Sequence, residues 1–165
     1  MKLNVGCGND YRKDYLNIDS SPTTKADKIV NLENPLPFKD NSVEEVFAQH
    51  ILEHITNFEQ LLKELYRICK SNALIKIKVP YFTHESAFSN YQHCRRFTWT
   101  TFDLFDVNHS EHFHIQLNFK TIYKHLNGRF SKRYHFANLF PRLYQEYLAW
   151  IFPVKELKVV LEVRK

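Results

Sequence analysis

Glycine is scarce in this chain, with three among 165 residues, and cysteine is equally rare. The three cysteines are odd in number and widely spaced, which argues against a disulfide framework and indicates a reducing compartment. Apolar runs are short, because none approaches the roughly 18 residues that cross a bilayer. We therefore expect a cytoplasmic protein without a signal peptide or a membrane contact.

The remaining composition is that of an ordinary globular protein, with 44% hydrophobic and 25% charged residues. The length suits one domain, residues 1–165, that buries a core of its own. A net charge of +5 is modest and spread along the chain. Nucleic acid is therefore a possible partner that the charge does not specifically indicate.

The two glycines near the N-terminus are placed informatively. Gly6 and Gly8 directly follow an apolar run, residues 2–5, and a second run, residues 15–18, ends at Asp19. Glycine tolerates a positive φ and lets a ligand approach the backbone. A carboxylate at the tip of a neighbouring parallel strand can accept hydrogen bonds from a ribose diol. The pattern predicts a nucleoside-bearing cofactor across the ends of two strands.

Two other nucleotide motifs do not fit. The dinucleotide fingerprint G-x-G-x-x-G needs a third glycine where Tyr11 stands, and its acidic residue comes later than Asp19. The chain also has no phosphate loop of the form G-x-x-x-x-G-K followed by Ser or Thr. A pyrophosphate cradle is therefore poorly supported.

Further strands and one clear helix follow in the first half. Residues 28–30, 45–48 and 74–79 complete a set of five predicted strands. Before the last of them, Thr56 and Glu59 form a capping-box pattern ahead of apolar residues at helical spacing. We expect Asn72 to take a left-handed conformation where that helix ends.

The second half has a different composition. Residues 81–114 hold five of the nine histidines and many aromatics without a clean period, which favours irregular segments over the strand ends. Residues 119–126 predict a sixth strand or a helix–strand transition. Residues 139–152 predict an amphipathic helix with Leu143, Tyr147, Leu148 and Ile151 on one side. Residues 156–163 predict a final strand.

Five blocks in this order resemble the class I S-adenosylmethionine (SAM)-dependent methyltransferases, and most closely the small methyltransferase-11-like proteins with an abbreviated first crossover. The resemblance covers residues 1 to about 80, in the segments 3–9, 17–22, 36–42, 50–55 and 61–70. It implies an α/β fold, a Rossmann-like doubly wound sheet that is mostly parallel with an antiparallel C-terminal strand. Residues 1–80 would bind the cofactor, 81–114 would cover the acceptor, and 115–165 would complete the sheet.

The same resemblance implies a SAM site. Backbone groups at Gly6 and Gly8 would reach the methionyl carboxylate, Asp19 the ribose hydroxyls, and Asn31 the adenine amino group. The full set of expected cofactor contacts is Val5, Gly6, Cys7, Gly8, Asp19, Asn31, Leu32 and His50.

Two histidines near the end of the fourth strand are candidate general bases, His50 and His54. The alternative is that His50 only packs against the cofactor or bonds a backbone carbonyl. Because positioning alone can supply much of the acceleration, a dedicated base is not required. The expected acceptor contacts in the cover segment are Tyr81, His84, His93 and Arg96.

A metal site is not expected, because zinc sites have tightly paired spacings that His93-Cys94 and the histidines of residues 109–114 lack. The short link between the first two strands, residues 6–14, leaves sheet surface to be covered by the second half, a second copy or a partner subunit. The expected function is methyl transfer to an oxygen or nitrogen of a small metabolite or glycan precursor. The alternatives are a catalytically silent partner subunit and an RNA or protein methyltransferase.

Overall fold

The computed structural model describes residues 1–107, 117–128 and 135–165. Seven strands form one sheet in the order β3-β2-β1-β4-β5-β7-β6. Their bounds are β1 Lys2–Val5, β2 Leu16–Asp19, β3 Lys28–Ile29, β4 Val43–Gln49, β5 Cys69–Pro80, β6 Phe119–Asn127 and β7 Glu156–Val163. The first five strands run parallel, and β7 is antiparallel to both of its neighbours, β5 and β6. The predicted fold class is confirmed.

The link between β1 and β2 contains no helix, as its length predicts. Two buried amide side chains, those of Asn4 and Asn17, hold the link in place instead of a helix. The Asn4 amide donates to Asn17 Oδ1 at 2.9 Å and to the Asp10 carbonyl at 2.6 Å. Asn17 Oδ1 also accepts from the Arg12 amide at 2.9 Å. The link is therefore held to the sheet by side-chain hydrogen bonds that satisfy its buried polar groups.

The one long helix among the described residues is α1, Phe58–Ile68. Its N-cap is Asn57, whose side chain accepts from the Gln60 amide, so the predicted Thr56–Glu59 box does not form. The reason is distant in sequence, because the Glu33 carboxylate accepts from the Thr56 and Asn57 amides at 2.6 and 3.1 Å.

Asn72 does take a positive φ, of 63°. It lies inside β5, which begins directly after α1, rather than at a helix end. The pairing register between β4 and β5 shifts in this region. The left-handed residue therefore belongs to a strand irregularity.

The two faces of the sheet differ in character. One row across the strands, Leu3, Val46, Ile75 and Leu161, is fully buried. The next row contains Asn4, Phe47 and Lys76. There the Arg12 guanidinium stacks on the Phe47 ring at 3.4 Å, so polar side chains cover this face where the structure describes it.

Residues 139–152 do not form the continuous helix that their pattern predicts. The segment is divided among three short elements. These are the end of α2, His135–Leu139, then α3, Pro141–Leu143, and a π-helical turn, Tyr144–Leu148. Pro141 lacks the amide that a continuous helix would use, which accounts for the break. The predicted apolar side stays exposed at Leu143, Tyr147 and Ile151. No helix of the described residues is long and apolar enough to cross a membrane.

Candidate functional site

A cavity of about 150 Å³ opens at the carboxyl ends of the parallel strands, where open α/β sheets bind ligands. Residues after β1, β2, β3 and β4 all contribute to its wall. The lining residues are Gly6, Asp19, Ser20, Asn31, Leu32, Glu33, Ile51, His54 and Ile55. Four of the predicted cofactor contacts are thus brought together, namely Gly6, Asp19, Asn31 and Leu32.

Gly6 allows a close approach between the first turn and the segment after β4. It has a φ of 60°, and a Cβ placed on it would lie 2.3 Å from Ile51 Cγ1. Gly8, at φ 49°, has open space in the same position. The first glycine is therefore required for packing as well as for conformation, and the second for conformation alone.

The Asp19 carboxylate is already engaged within the chain. Its Oδ2 accepts from the Gly8 amide at 2.8 Å, and its Oδ1 accepts from the Ser21 amide at 2.9 Å. The Cys7 amide donates to the Ile18 carbonyl at 3.1 Å. The amides of Cys7 and Gly8 are thus paired in this conformation, and the predicted carboxylate cradle at Gly8 is not open.

Other predicted contacts stand apart from the cavity. Val5 and Cys7 are buried in the core and do not line it. Asn31 does line it, but its Oδ1 accepts from the Glu33 amide at 2.9 Å. One lone pair of that oxygen remains for an adenine amino group.

The polar side chains of the cavity fit the nucleoside part of SAM better than the whole cofactor. A carboxylate offers about four lone-pair positions, and the two amides leave roughly half of them at Asp19 for ribose hydroxyls. The volume of about 150 Å³ is small beside the roughly 300–1,000 Å³ of ordinary ligand pockets. Ile51, which packs against Gly6, forms one wall of this cavity.

His50 lies outside this cavity, at the centre of a charged cluster. Its Nε2 is 3.1 Å from Glu156 Oε1, and its Nδ1 is 3.4 Å from Glu53 Oε1. Glu156 also accepts from Lys78 at 3.1 Å and from Asn127 at 3.2 Å. The cluster joins the ends of β4, β5 and β7 at one edge of the sheet.

These contacts set the charges in the cluster. Hydrogen bonds to Glu156 and Glu53 outweigh burial and raise the pKa of His50 to about 9. Burial opposes ionisation of Glu156, but hydrogen bonds from His50, Lys78 and Asn127 lower the pKa of its carboxyl to about 2. At neutral pH His50 is therefore an imidazolium, without the free lone pair that a general base needs.

His54 has the opposite electrostatic environment. It lines the cavity, and burial lowers the pKa of its imidazole, with His93 adding to the effect. The rings of His54 and His93 meet edge to face with centroids 4.6 Å apart. Of the two predicted bases, His54 is the one that is neutral and faces the cavity.

The four predicted acceptor contacts do not converge. Tyr81 is 0% exposed, and burial raises the pKa of its phenol, so it belongs to the core rather than to an open surface. His84 Nδ1 accepts from the Ser86 amide at 3.1 Å and caps a short 3₁₀ helix. Arg96 is exposed and stacks on the Phe88 ring at 4.7 Å. Only His93 reaches the site, through His54.

Two residues of the site, Glu53 and Glu156, were not among the candidates predicted from the sequence. Glu53 and Glu156 are buried acids, 1% and 4% exposed. Glu53 contacts His50, three residues before it, whereas the partners of Glu156 are distant in the chain. An acid within the His50–His54 block and a glutamate opening a buried strand were visible signals, because buried acids need partners. The histidine cluster of residues 109–114 lies outside the described residues.

Comparison with known proteins supports the resemblance. Residues 3–77 match the family model described as a methyltransferase domain. The resemblance to class I SAM-dependent methyltransferases is thereby confirmed, and the cofactor of this class is S-adenosylmethionine. No curated protein matches the sequence well enough to count as a relative.

Solved structures share the fold at low identity. One belongs to the complex between the Haloferax volcanii Trm112 methyltransferase activator and a methyltransferase, at 16% identity and TM-score 0.65 over 99% of this chain and 82% of that one. Another is a SAM-dependent methyltransferase from Archaeoglobus fulgidus, at 15% and 0.64 over 98% and 85%. A third is the cyclase SpnF, at 13% and 0.63 over 99% and 74%. These likenesses show the fold alone.

Proposed function

We propose that this chain is a SAM-dependent methyltransferase that acts on an oxygen or nitrogen of its acceptor. The supporting observation is the cavity that joins Gly6, Asp19 and Asn31 at one edge of the sheet. Three consecutive strands of the fold deliver these residues, as a nucleoside-bearing cofactor requires. Asp19 would bind the ribose, and Asn31 the adenine.

The reaction places modest demands on the protein. A lone pair of the acceptor attacks the methyl carbon, the carbon–sulfur bond breaks, and its electron pair stays on sulfur. The proton of the acceptor leaves to water or to a base. Positioning supplies much of the acceleration. If a base takes part, His54 has the protonation state for it, because burial keeps its pKa below the ordinary value while that of His50 is raised.

A small metabolite or a glycan precursor is the acceptor we favour, ahead of RNA or protein. Arg96 is exposed and follows the site residue His93 by three residues in the chain, and its guanidinium suits pairing with an anionic group of such an acceptor. The net charge of +5 is too small and dispersed to favour a nucleic acid. The three free cysteines suit a cytoplasmic setting.

A catalytically silent partner subunit is the second candidate, and two observations favour it. The cavity is about 150 Å³, and the Gly8 amide is bonded to Asp19 instead of facing a ligand. A protein of the same fold was solved in complex with a methyltransferase activator. In this alternative the chain would support a second, active subunit without binding SAM itself.

Calorimetric titration of SAM and of its demethylated product distinguishes the candidates. We expect wild type to bind both, and Asp19→Asn to bind about tenfold more weakly, because a charge-assisted hydrogen bond becomes a neutral one. Asp14→Asn, at an exposed aspartate of the same link, should bind like wild type. Absence of binding in every variant would favour the silent subunit, and equal binding in all three would remove Asp19 from the site.

A further inference from the structure

Three side chains that can ligate a metal meet beside the cofactor cavity. Glu53, His54 and His93 each offer a ligand atom, and these atoms lie within 4.8 Å of one another. Glu53 is 1% exposed, yet its Oε2 has no hydrogen-bond partner among the described residues, and the buried Nδ1 of His93 has none there either. Unsatisfied buried polar atoms are costly, so two of them in one cluster indicate a missing ligand.

The backbone holds these side chains together. Glu53 and His54 belong to a 3₁₀ helix, Leu52–His54, and His93 belongs to a loop that lies against it. The Cys94 amide donates to the Glu53 carbonyl at 3.0 Å, and the Arg95 guanidinium donates to the Thr56 carbonyl at 3.0 Å. Hydrogen bonds on the C-terminal side of His93 thus fix its position relative to His54.

The surroundings of the cluster match those of ligating residues. His54 bonds the Gln92 backbone, which leaves one of its two ring nitrogens available. Glu53 Oε1 contacts His50 Nδ1 at 3.4 Å, which orients the carboxylate and leaves Oε2 without a partner in residues 1–107, 117–128 and 135–165. Ligating histidines and carboxylates commonly have such outer partners, which fix the orientation of the ligand.

We propose that Glu53, His54 and His93 bind one divalent transition-metal ion of the Zn²⁺ type. Two imidazoles and one carboxylate form a recurrent three-ligand set for zinc, which leaves a coordination position open. Two nitrogen donors disfavour Mg²⁺ and Ca²⁺, which prefer oxygen. The spacing gave no indication of this site, because two ligands are adjacent and the third comes from a separate loop. His54 also lines the cofactor cavity, so the ion would lie at its wall and would occupy the nitrogen that His54 needs to act as a base.

Metal titration tests the proposal without any activity assay. The chain is stripped with a chelator and titrated with Co²⁺, whose visible absorbance reports nitrogen and oxygen ligands, and then with Zn²⁺ in competition. We expect one equivalent in wild type and a loss of at least about tenfold in affinity in His93→Ala and Glu53→Gln. His135→Ala, at an exposed histidine of α2, is the matched control and should bind like wild type.

Thermal melting separates binding from folding. Zn²⁺ should raise the melting temperature of wild type and of His135→Ala, and leave that of His93→Ala unchanged, because only a ligand of the folded state stabilises it. If Glu53→Gln fails to fold, His93→Ala decides the question. Equal Co²⁺ affinity in wild type, Glu53→Gln and His93→Ala would place the metal elsewhere and overturn the proposal, as would a wild type that binds no metal.

Discussion

His50 and His54 stand on the same short segment after β4, but the groups around them differ in their pairing. Around His50, the cation meets two carboxylates, and Lys78 and Asn127 complete the bonds of Glu156. Around His54, Glu53 Oε2 and His93 Nδ1 have no hydrogen-bond partner in the part of the chain that the structure describes, and a cavity lies alongside. A cluster that satisfies its own charges holds the sheet edge together. A cluster that leaves polar atoms unsatisfied is suited to binding.

The cluster around His50 and the cluster around His54 respond to pH differently. The folded pKa of His50 is raised from 6.5 to about 9, so its stabilisation is complete below pH 6.5 and is lost as the pH rises through 9. The folded pKa of Glu156 is lowered from 4.5 to about 2, so its stabilisation is present above pH 4.5 and is lost on acidification towards 2. The folded pKa of His54 is lowered, so protonation of His54 below pH 6.5 opposes folding.

Removing one partner from the cluster around His50 should cause the largest loss of stability. Glu156→Ala would leave His50 and Lys78 as partly buried cations without their shared carboxylate. We expect a loss of about 3 kcal/mol in the free energy of unfolding, at the low end for a broken buried pair because His50 is 36% exposed. Urea denaturation at pH 7 measures it.

Glu162→Ala is the control on the same strand, because Glu162 pairs with the exposed Arg164 near the chain end. A surface pair of that kind contributes about 0–1 kcal/mol. If Glu156→Ala and Glu162→Ala lower the free energy of unfolding by the same amount, the cluster around His50 is no more than a surface network. The contrast between the two histidine clusters then fails.

Substitutions at Gly6 and Gly8 test how tightly Ile51, which lies between His50 and His54, packs against the first turn. Gly6→Ala would bring a Cβ to within 2.3 Å of Ile51 Cγ1, whereas Gly8→Ala meets nothing within 4 Å. Both substitutions pay about 1–2 kcal/mol for a left-handed alanine. Gly6→Ala should cost about 1–3 kcal/mol more through overpacking, as measured by urea denaturation. Equal losses would show that Ile51 moves away freely, and that the cavity can widen at little cost.

Much of the fold was predictable because its signals are local. The Gly6–Asp19 block and the apolar spacing of α1 predict strand ends and a helix within a few residues of where they lie. Asn72 was correctly expected at a positive φ. The predicted helix cap was wrong because Glu33, from another part of the chain, bonds the Thr56 amide that the local pattern assigned to Glu59, and the Asn57 amide beside it.

The site was less predictable because its pairings are long-range. Asp19, Asn31 and His54 reach the cavity by following strands whose order the family resemblance implies. The contact of His50 with Glu156 depends on β7 inserting beside β5, and that of His54 with His93 depends on a loop folding back. No spacing in the sequence records either encounter, so the charge of His50 was not foreseen.

The opposite protonation states of the two histidines are the central claim, and NMR titration of the histidine rings tests it directly. Spectra are recorded from pH 5 to pH 10 with a chelator present, and His50→Gln and His54→Gln assign the two signals. The structure predicts that the His50 ring stays protonated through neutral pH and titrates near 9, while the His54 ring titrates below 6.5. Two rings that both titrate near 6.5 would contradict the account.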